Sequence, residues 1–560
     1  MHHINKLPSS ILSLILDHAT APLNRWWKDW RRGLTLLQVC SLWRTHGSPL
    51  VYKYMFIYCI EADSDDDSDD ESDDLATRAN HTYGMLPKMK WVSNANLTIA
   101  NENVSIVNKV VINLRGPGYL FPFLNGVLEI LTMSQTTWES VTSLSFHLAS
   151  DFAEPERAGD LTVRDQVEIT ARFTDLFRSM FSRINDLRIN GNDAGEMFCN
   201  FADRLTYHYS MCAKRLEFLY PMSCMAPCFS EGLTYLHLVV RPYIGQLIPL
   251  VHSLPLKYLC LDGISPNFRW QCFYSQSENG RNVCFRDLET LTVHYNAIVG
   301  VDVDAMVTSN YSGRENEELA YTLYFPSLKY LTISKCPENG GLLCNSRIPN
   351  ILHTVNFEGS VGAVKALADC GITRLHNLTA SLRANTISEY DQKQMVTATN
   401  YLYSVPQIEN TAILCLFDNV TLPDTDELDW RNLDELTLDS PASLTQVLQL
   451  IPKMPKLTSL SCYSLQIKQR MLINAPQKIT EESWNFMPSL ETNIERIAIC
   501  NHVDLFSRTV AFAIACYFMV SIKSLKYLLV SRLNLAQISE FIDTFKQIYP
   551  HLLDIKVNTQ

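Results

Sequence analysis

The sequence predicts an α/β protein. A small N-terminal helical module is followed by a solenoid of short strand–helix units, with parallel strands on a concave face and helices or loops on a convex face. Three observations predict it. The first fifty residues carry apolar positions at helical spacing, and a string of the form apolar-x-x-Leu-x-apolar recurs from residue 184 to residue 557. The segments between strings also carry helical faces.

The first element opens at Leu7-Pro8, and Leu7, Ile11, Leu12, Ile15 and Leu16 share one helical face. A second apolar segment, Leu34, Leu36, Leu37, Val39, Cys40 and Trp43, ends just before the exit Pro49-Leu50-Val51-Tyr52. About fifty residues cannot bury all of this surface unaided. The module therefore packs against a partner or against the next domain.

The predicted domains are a helical module at 1–60, an acidic linker at 61–90 and a repeat array at 91–560. Asp63-Ser-Asp-Asp-Asp-Ser-Asp-Asp-Glu-Ser-Asp-Asp74 has no apolar residue to bury, and its like charges repel, so it reads as a solvated, extended loop. Ser64 and Ser68 each precede three acidic residues. That context suits acid-directed kinases and makes both candidate phosphorylation sites.

Beyond the linker the strings begin at Ile184, Leu233, Leu256, Leu288, Leu328, Leu433, Leu457, Ile494, Leu525 and Leu552. Three contain Leu-Lys-Tyr-Leu, at 256, 328 and 525, and less regular copies lie at 107–112, 144–146 and 352–357. Alternate residues of a short strand point into one core, and the first apolar residue fills the turn before it. Helical faces separate the strings at Ile169, Phe173, Leu176, Phe177 and Met180. Others lie at Leu444, Val447, Leu448 and Ile451, and at Ile538, Phe541, Ile542, Phe545 and Ile548. One strand and one helix per unit, stacked on neighbours, is a leucine-rich-repeat arrangement. Insertions at 265–286 and 302–324 are expected as loops from one edge.

Composition excludes several functions. The net charge is -12, but residues 61–74 hold ten acidic side chains, leaving the remainder near -2. A near-neutral body gives no nucleic-acid footprint. The Trp-rich basic cluster at 25–32 is the one local exception, and it is short. The apolar run Val510–Val520 is too short to span a bilayer and reads as a buried helix. The sixteen cysteines are scattered, without paired metal-ligand spacing, and suit small buried hydrophobes of a reducing compartment. No phosphate-binding loop, nucleophile elbow or His-Glu-x-x-His occurs. Neither catalysis, a cofactor nor a metal is expected.

In order along the chain, Leu7, Pro8, Ile11, Leu12 and Ile15, then Leu37, Val39, Cys40, Trp43 and Arg44, then Leu50 and Tyr52, resemble an F-box. With the downstream strings, the whole chain resembles the F-box/leucine-rich-repeat proteins of fungal type. It departs from the pattern at Ser10, where an acidic residue is frequent. The segment Ala21–Gly33 is also longer and more basic than usual, with Trp26, Trp27 and Trp30 among Arg25, Lys28, Arg31 and Arg32.

The resemblance implies a non-catalytic substrate-recognition subunit of an SCF-type ubiquitin ligase, nuclear or cytoplasmic, without nucleic-acid or membrane partners. A Skp-type adaptor, and through it a cullin–RING ligase, would dock on Leu7, Pro8, Ile11, Leu12, Ile15, Leu37, Val39, Cys40 and Trp43. A protein substrate would meet outward strand residues, with Tyr235, His237, Tyr258, Thr292, Tyr330, Thr332 and Tyr527 as candidates. The alternative is a binding scaffold outside any ligase, whose N-terminal helices cap the solenoid.

Overall fold

A computed structural model of the chain describes residues 11–12, 37–38, 41–61, 89–95, 98, 102–114, 120–132, 138–148, 163–191, 196–220, 229–239, 254–264, 282–296, 322–337, 340–382, 407–415, 430–439, 442–463, 465–466, 490–500 and 508–559. They fold as two units. The first comprises Met1–Asp262 and Cys272–Gln276, and the second Gly263–Gln271 and Ser277–Gln560. Each is mixed α/β with a parallel sheet.

In the first unit, helix α1 (Ser41–Val51) leads into strand β1 (Tyr54–Glu61). Strand β1 pairs antiparallel with β2 (Met89–Ser93) and parallel with β3 (Lys109–Leu114). Then follow α2 (Leu120–Thr132), β4 (Ser143–Leu148), α3 (Val163–Met180), β5 (Asp186–Asn190) and α4 (Glu196–Ser210). Strands β6 (Arg215–Leu219), β7 (Tyr235–Val239) and β8 (Tyr258–Ile264) complete the series. From β3 to β8 every strand pairs in parallel with the next along the chain.

Strand β1 falls within the stretch expected to be helical, and Pro49 lies inside α1 rather than beyond its end. Met55, Phe56 and Ile57 are all buried, because Leu37, Val51 and Tyr52 pack with Phe56 on the side that neighbouring strands leave open. Two-sided burial erases the period-2 signature of a strand. Glu61 also stands opposite Met89. The acidic segment lies in sequence between these two paired strands. Buried Asn94 fixes this corner: its Oδ1 accepts from the Phe56 amide at 2.9 Å, and its Nδ2 donates to the Tyr54 carbonyl at 2.9 Å.

The second unit contains β9 (Asn282–Cys284), β10 (Thr290–Tyr295), β11 (Thr322–Tyr324), β12 (Tyr330–Cys336), β13 (Ser346–Arg347) and β14 (Ile351–Gly359). Helix α5 (Val361–Asp369), β15 (Arg374–Leu382), β16 (Gln407–Cys415), β17 (Glu435–Leu438) and β18 (Ala442–Ser443) come next. The unit ends with α6 (Leu444–Leu450), β19 (Ser459–Cys462), β20 (Leu465–Gln466), β21 (Arg496–Ile499), α7 (Arg508–Ser521), β22 (Tyr527–Val530), α8 (Leu535–Phe545) and β23 (Lys556–Asn558). Its main ladder runs β10, β12, β14, β15, β16, β17, β19, β21, β22, β23, all parallel.

Strands β9, β11 and β13 form a second parallel ladder in this unit, with Phe285 and Phe325 stacked at 5.2 Å just beyond β9 and β11. The insertions expected as loops thus end in strands. The sequence spaces Val283 and Phe285 as it spaces Leu323 and Phe325, and all four are buried.

All ten strings end in strands, and their first apolar residues, from Ile184 to Leu552, are at most 2% exposed. A further buried residue precedes several of them by three positions, Phe325 before Leu328, Trp430 before Leu433 and Met454 before Leu457, and Trp138 precedes buried Val141 in the same way. In each the later amide donates to the earlier carbonyl, closing a turn at 3.0–3.2 Å. Just after that turn, two successive amides share one carbonyl of the preceding unit. Lys329 and Tyr330 donate to Glu289, and Thr458 and Ser459 to Asp434. The pattern sets the register of each strand against the one before it.

The helices bury part of their predicted faces, while Ile548 lies beyond α8 and is exposed. Phe173, Phe177 and Met180 of α3 are buried, as are Ile538, Phe541 and Phe545 of α8. Ser443 and Gln446 form a capping box at the start of α6. Helix α7 holds the Val510–Val520 run with Ala511, Ile514, Ala515, Phe518 and Met519 buried. Among the described residues, no helix is long and apolar enough to cross a membrane.

Candidate functional site: the open strand face

Alternation along the strands sorts side chains onto two faces. In β5, β6 and β7 burial alternates strictly, so Leu187, Ile189, Leu216, Phe218, Leu236 and Leu238 face the core. The intervening residues form an open face in aligned rows. One row runs Tyr54, Lys109, Ser143, Asp186, Arg215, Tyr235, Tyr258. The next runs Phe56, Val111, Ser145, Arg188, Glu217, His237, Cys260.

These rows hold a connected set of charges. Arg188 reaches Asp186 at 3.4 Å and Glu217 at 3.8 Å, while Arg215 reaches Asp186 at 3.5 Å and Glu217 at 3.2 Å. Ser143 Oγ donates to Asp186 Oδ2 at 2.8 Å. Burial, then Arg188, pushes the Lys109 ammonium below its ordinary value, with Asp186 opposing the shift. The Arg215 guanidinium lies 3.4 Å from the Tyr235 ring centre, and Tyr235 stacks on Tyr258 at 4.1 Å with planes 3° apart. Burial raises the Tyr235 phenol above its ordinary value, so it stays neutral and protonated at neutral pH. One row on, His237 Nε2 is 2.6 Å from Asp262 Oδ2, and Cys260 Sγ donates to Asp262 Oδ1 at 3.7 Å.

The second unit presents different chemistry. Its rows read Thr290, Tyr330, Thr354, Asn377, Thr411, Glu435, Ser459, Arg496, Tyr527, Lys556 and Thr292, Thr332, Asn356, Thr379, Ile413, Thr437, Ser461, Ala498. Neutral hydrogen bonds join them. Asn356 donates to Thr332 at 3.3 Å, Asn377 to Thr354 at 3.4 Å and Asn410 to Asn377 at 2.9 Å. At the strand starts Tyr330, His353 and His376 follow one another with ring centres 5.1 and 4.8 Å apart, and Arg374 pairs with Glu409. At the C-terminal end a shallow depression of about 200 Å³ is lined by Ser459, Ser461, Arg496, Tyr527, Lys556 and Asn558. Arg496 and Lys556 both lie 5.6 Å from the Tyr527 ring centre.

Of the candidates read from sequence, Tyr235, His237 and Tyr258 come together on the first unit's open face. Tyr330 and Thr332 lie in β12 of the second unit, and Tyr527 sits in the depression, 42% exposed. Thr292 is only 9% exposed and offers little surface. Sequence reasoning missed Asp186, Arg188, Arg215, Glu217 and Asp262. Their signal was present, because Asp186/Arg188 and Arg215/Glu217 flank the central Leu of consecutive strands.

The candidate adaptor residues fare differently. Leu7, Pro8, Ile15, Val39 and Cys40 lie outside the described residues, as do Ser64 and Ser68. Ile11 is 44% exposed and Trp43 is half-buried. Leu12 is fully buried, and Leu37 is 6% exposed within the cluster of Val51, Tyr52 and Phe56. Leu37, expected to face an adaptor, packs on Val51, Tyr52 and Phe56. The sequence matches no protein-family model and no curated protein.

Proposed function

We propose that this chain is the substrate-recognition subunit of an SCF-type ubiquitin ligase, with an F-box at its N-terminus and a leucine-rich-repeat solenoid behind it. The F-box takes a Skp-type adaptor, and the open strand face takes a protein substrate. Tethering the substrate near a charged conjugating enzyme raises its effective concentration, and the chemistry belongs to other subunits. The observation that carries the reading is the order of features. Helix α1, bearing Trp43-Arg44 of the F-box-like pattern, runs directly into a ladder of parallel strands with one apolar face and one open polar–aromatic face. Tyr and Arg on that face suit protein recognition.

The test is reconstitution with a purified Skp-type adaptor. The wild-type chain forms a stoichiometric complex on size-exclusion chromatography, and Ile11→Asp with Trp43→Ala abolishes it. Failure of the wild-type chain to bind any adaptor removes the ligase reading. One observation favours a second reading, a scaffold whose N-terminal segment caps the sheet: Leu37 packs on Val51, Tyr52 and Phe56 rather than standing free. Under that reading the double variant keeps every partner of the wild type.

A further inference from the structure

His237, Cys260 and Asp262 bring three different metal-ligand types to one point on the first unit's open face. They come from neighbouring parallel strands: His237 of β7 stands opposite Cys260 of β8, and Asp262 follows Cys260 by two residues. The register therefore places all three side chains on the same side. Their ligand atoms all lie within 4.8 Å of one another. The imidazole Nε2 is 2.6 Å from Asp262 Oδ2, and the Cys260 sulfur is 3.7 Å from Asp262 Oδ1. Cys260 is 2% exposed, so its sulfur is shielded from bulk water while facing a carboxylate.

We propose that His237, Cys260 and Asp262 form a three-donor site for a zinc-type divalent ion, with the fourth position open toward the strand face. Zinc bonds of roughly 2.0–2.1 Å to N and O and 2.3 Å to S need donors about 3.3–3.6 Å apart. The sulfur–carboxylate separation, 3.7 Å, lies just outside that range. The His237–Asp262 pair must open by less than about 1 Å, exchanging its hydrogen bond for two metal bonds. One soft, one borderline and one hard donor suit zinc, and not magnesium or calcium, which take oxygen.

Burial, then the Asp262 charge, holds the Cys260 thiol protonated far above its ordinary value. A bound dication reverses both effects. Binding displaces the thiol proton to solvent as the S–metal bond forms, so affinity rises with pH. The site is independent of the ligase proposal.

The test uses the full-length chain, stripped of metal and titrated with Co²⁺ and then Zn²⁺. The wild-type chain gains a thiolate-to-cobalt absorption band as one equivalent binds, and zinc then quenches the band by displacing the cobalt. Cys260→Ser abolishes the band, and His237→Gln lowers the stoichiometry by one equivalent. Cys212→Ser, at an exposed thiol elsewhere in the unit, leaves both unchanged. Circular dichroism checks the fold of each variant, and His237→Gln decides alone if Cys260→Ser unfolds. No band in the wild-type chain, or an unchanged stoichiometry in folded His237→Gln, overturns the proposal.

Discussion

The two units build similar ladders whose open faces differ in chemistry. In both, leucine, isoleucine or valine at alternate strand positions fills the core. On the other side the first unit sets Asp186, Arg188, Arg215 and Glu217 beside the Tyr235–Tyr258 stack. The second sets threonine and asparagine of β12, β14 and β15 in rows joined by neutral hydrogen bonds, with its charged residues further along the ladder. The difference shows that core and face are specified separately, because period-2 alternation lets one set of positions vary without disturbing the other. It also separates roles. Neutral hydroxyl and amide rows lend cross-strand stiffness, whereas a half-buried charged and aromatic cluster offers a partner both specificity and contact area.

If the buried layers are equivalent, Leu236→Ala in the first unit and Leu436→Ala in the second carry similar costs, about 2–5 kcal/mol each. Hydrogen exchange of the flanking strands measures both. A much smaller cost in either unit breaks the equivalence. Outer-face changes then differ between units. Arg215→Ala removes two ion pairs and the contact with Tyr235, costing about 1–2 kcal/mol, with a visible dependence on salt. Thr354→Ala in the second unit costs about 0.5 kcal/mol and shows no salt dependence. Equal salt sensitivity would erase the distinction.

A further expectation concerns alkaline pH. Burial holds Cys336, Cys370 and Cys462 of the second unit up to about 12, against an ordinary 9.0. Between these values the folded chain keeps protons that the unfolded chain has lost. The unit's stability is therefore full below pH 9 and falls as pH rises toward 12. Cys462→Val makes that fall shallower, as read by unfolding midpoints across the range.

Much of the ladder was legible in the sequence, since each string pairs a turn-filling residue with two core residues. Strand β6 also fits the pattern, but it starts from Ala213, whose small side chain gives a weak apolar signal. Strand β16 carries one extra residue against β15 between Leu375 and Asn377, so its buried Ile408, Ala412 and Leu414 break the spacing on which the string depends. Strand β1 was hidden because Phe56 is covered by Leu37, Val51 and Tyr52. The candidate face was legible only in part. Tyr235, His237 and Tyr258 follow from alternation, but their partners Arg215 and Asp262 lie about twenty residues away, and only strand register brings them together.

The division of labour between the N-terminal segment and the charged face is tested most directly by quantitative mass spectrometry under proteasome inhibition. Three chains are compared: wild type, Ile11→Asp with Trp43→Ala, and Arg215→Glu with Tyr235→Ala. The N-terminal pair is expected to lose a Skp-type adaptor and its cullin while keeping other partners. The face pair is expected to keep the adaptor and lose those others. A wild-type chain without any adaptor, or a face variant that retains every partner, contradicts the account.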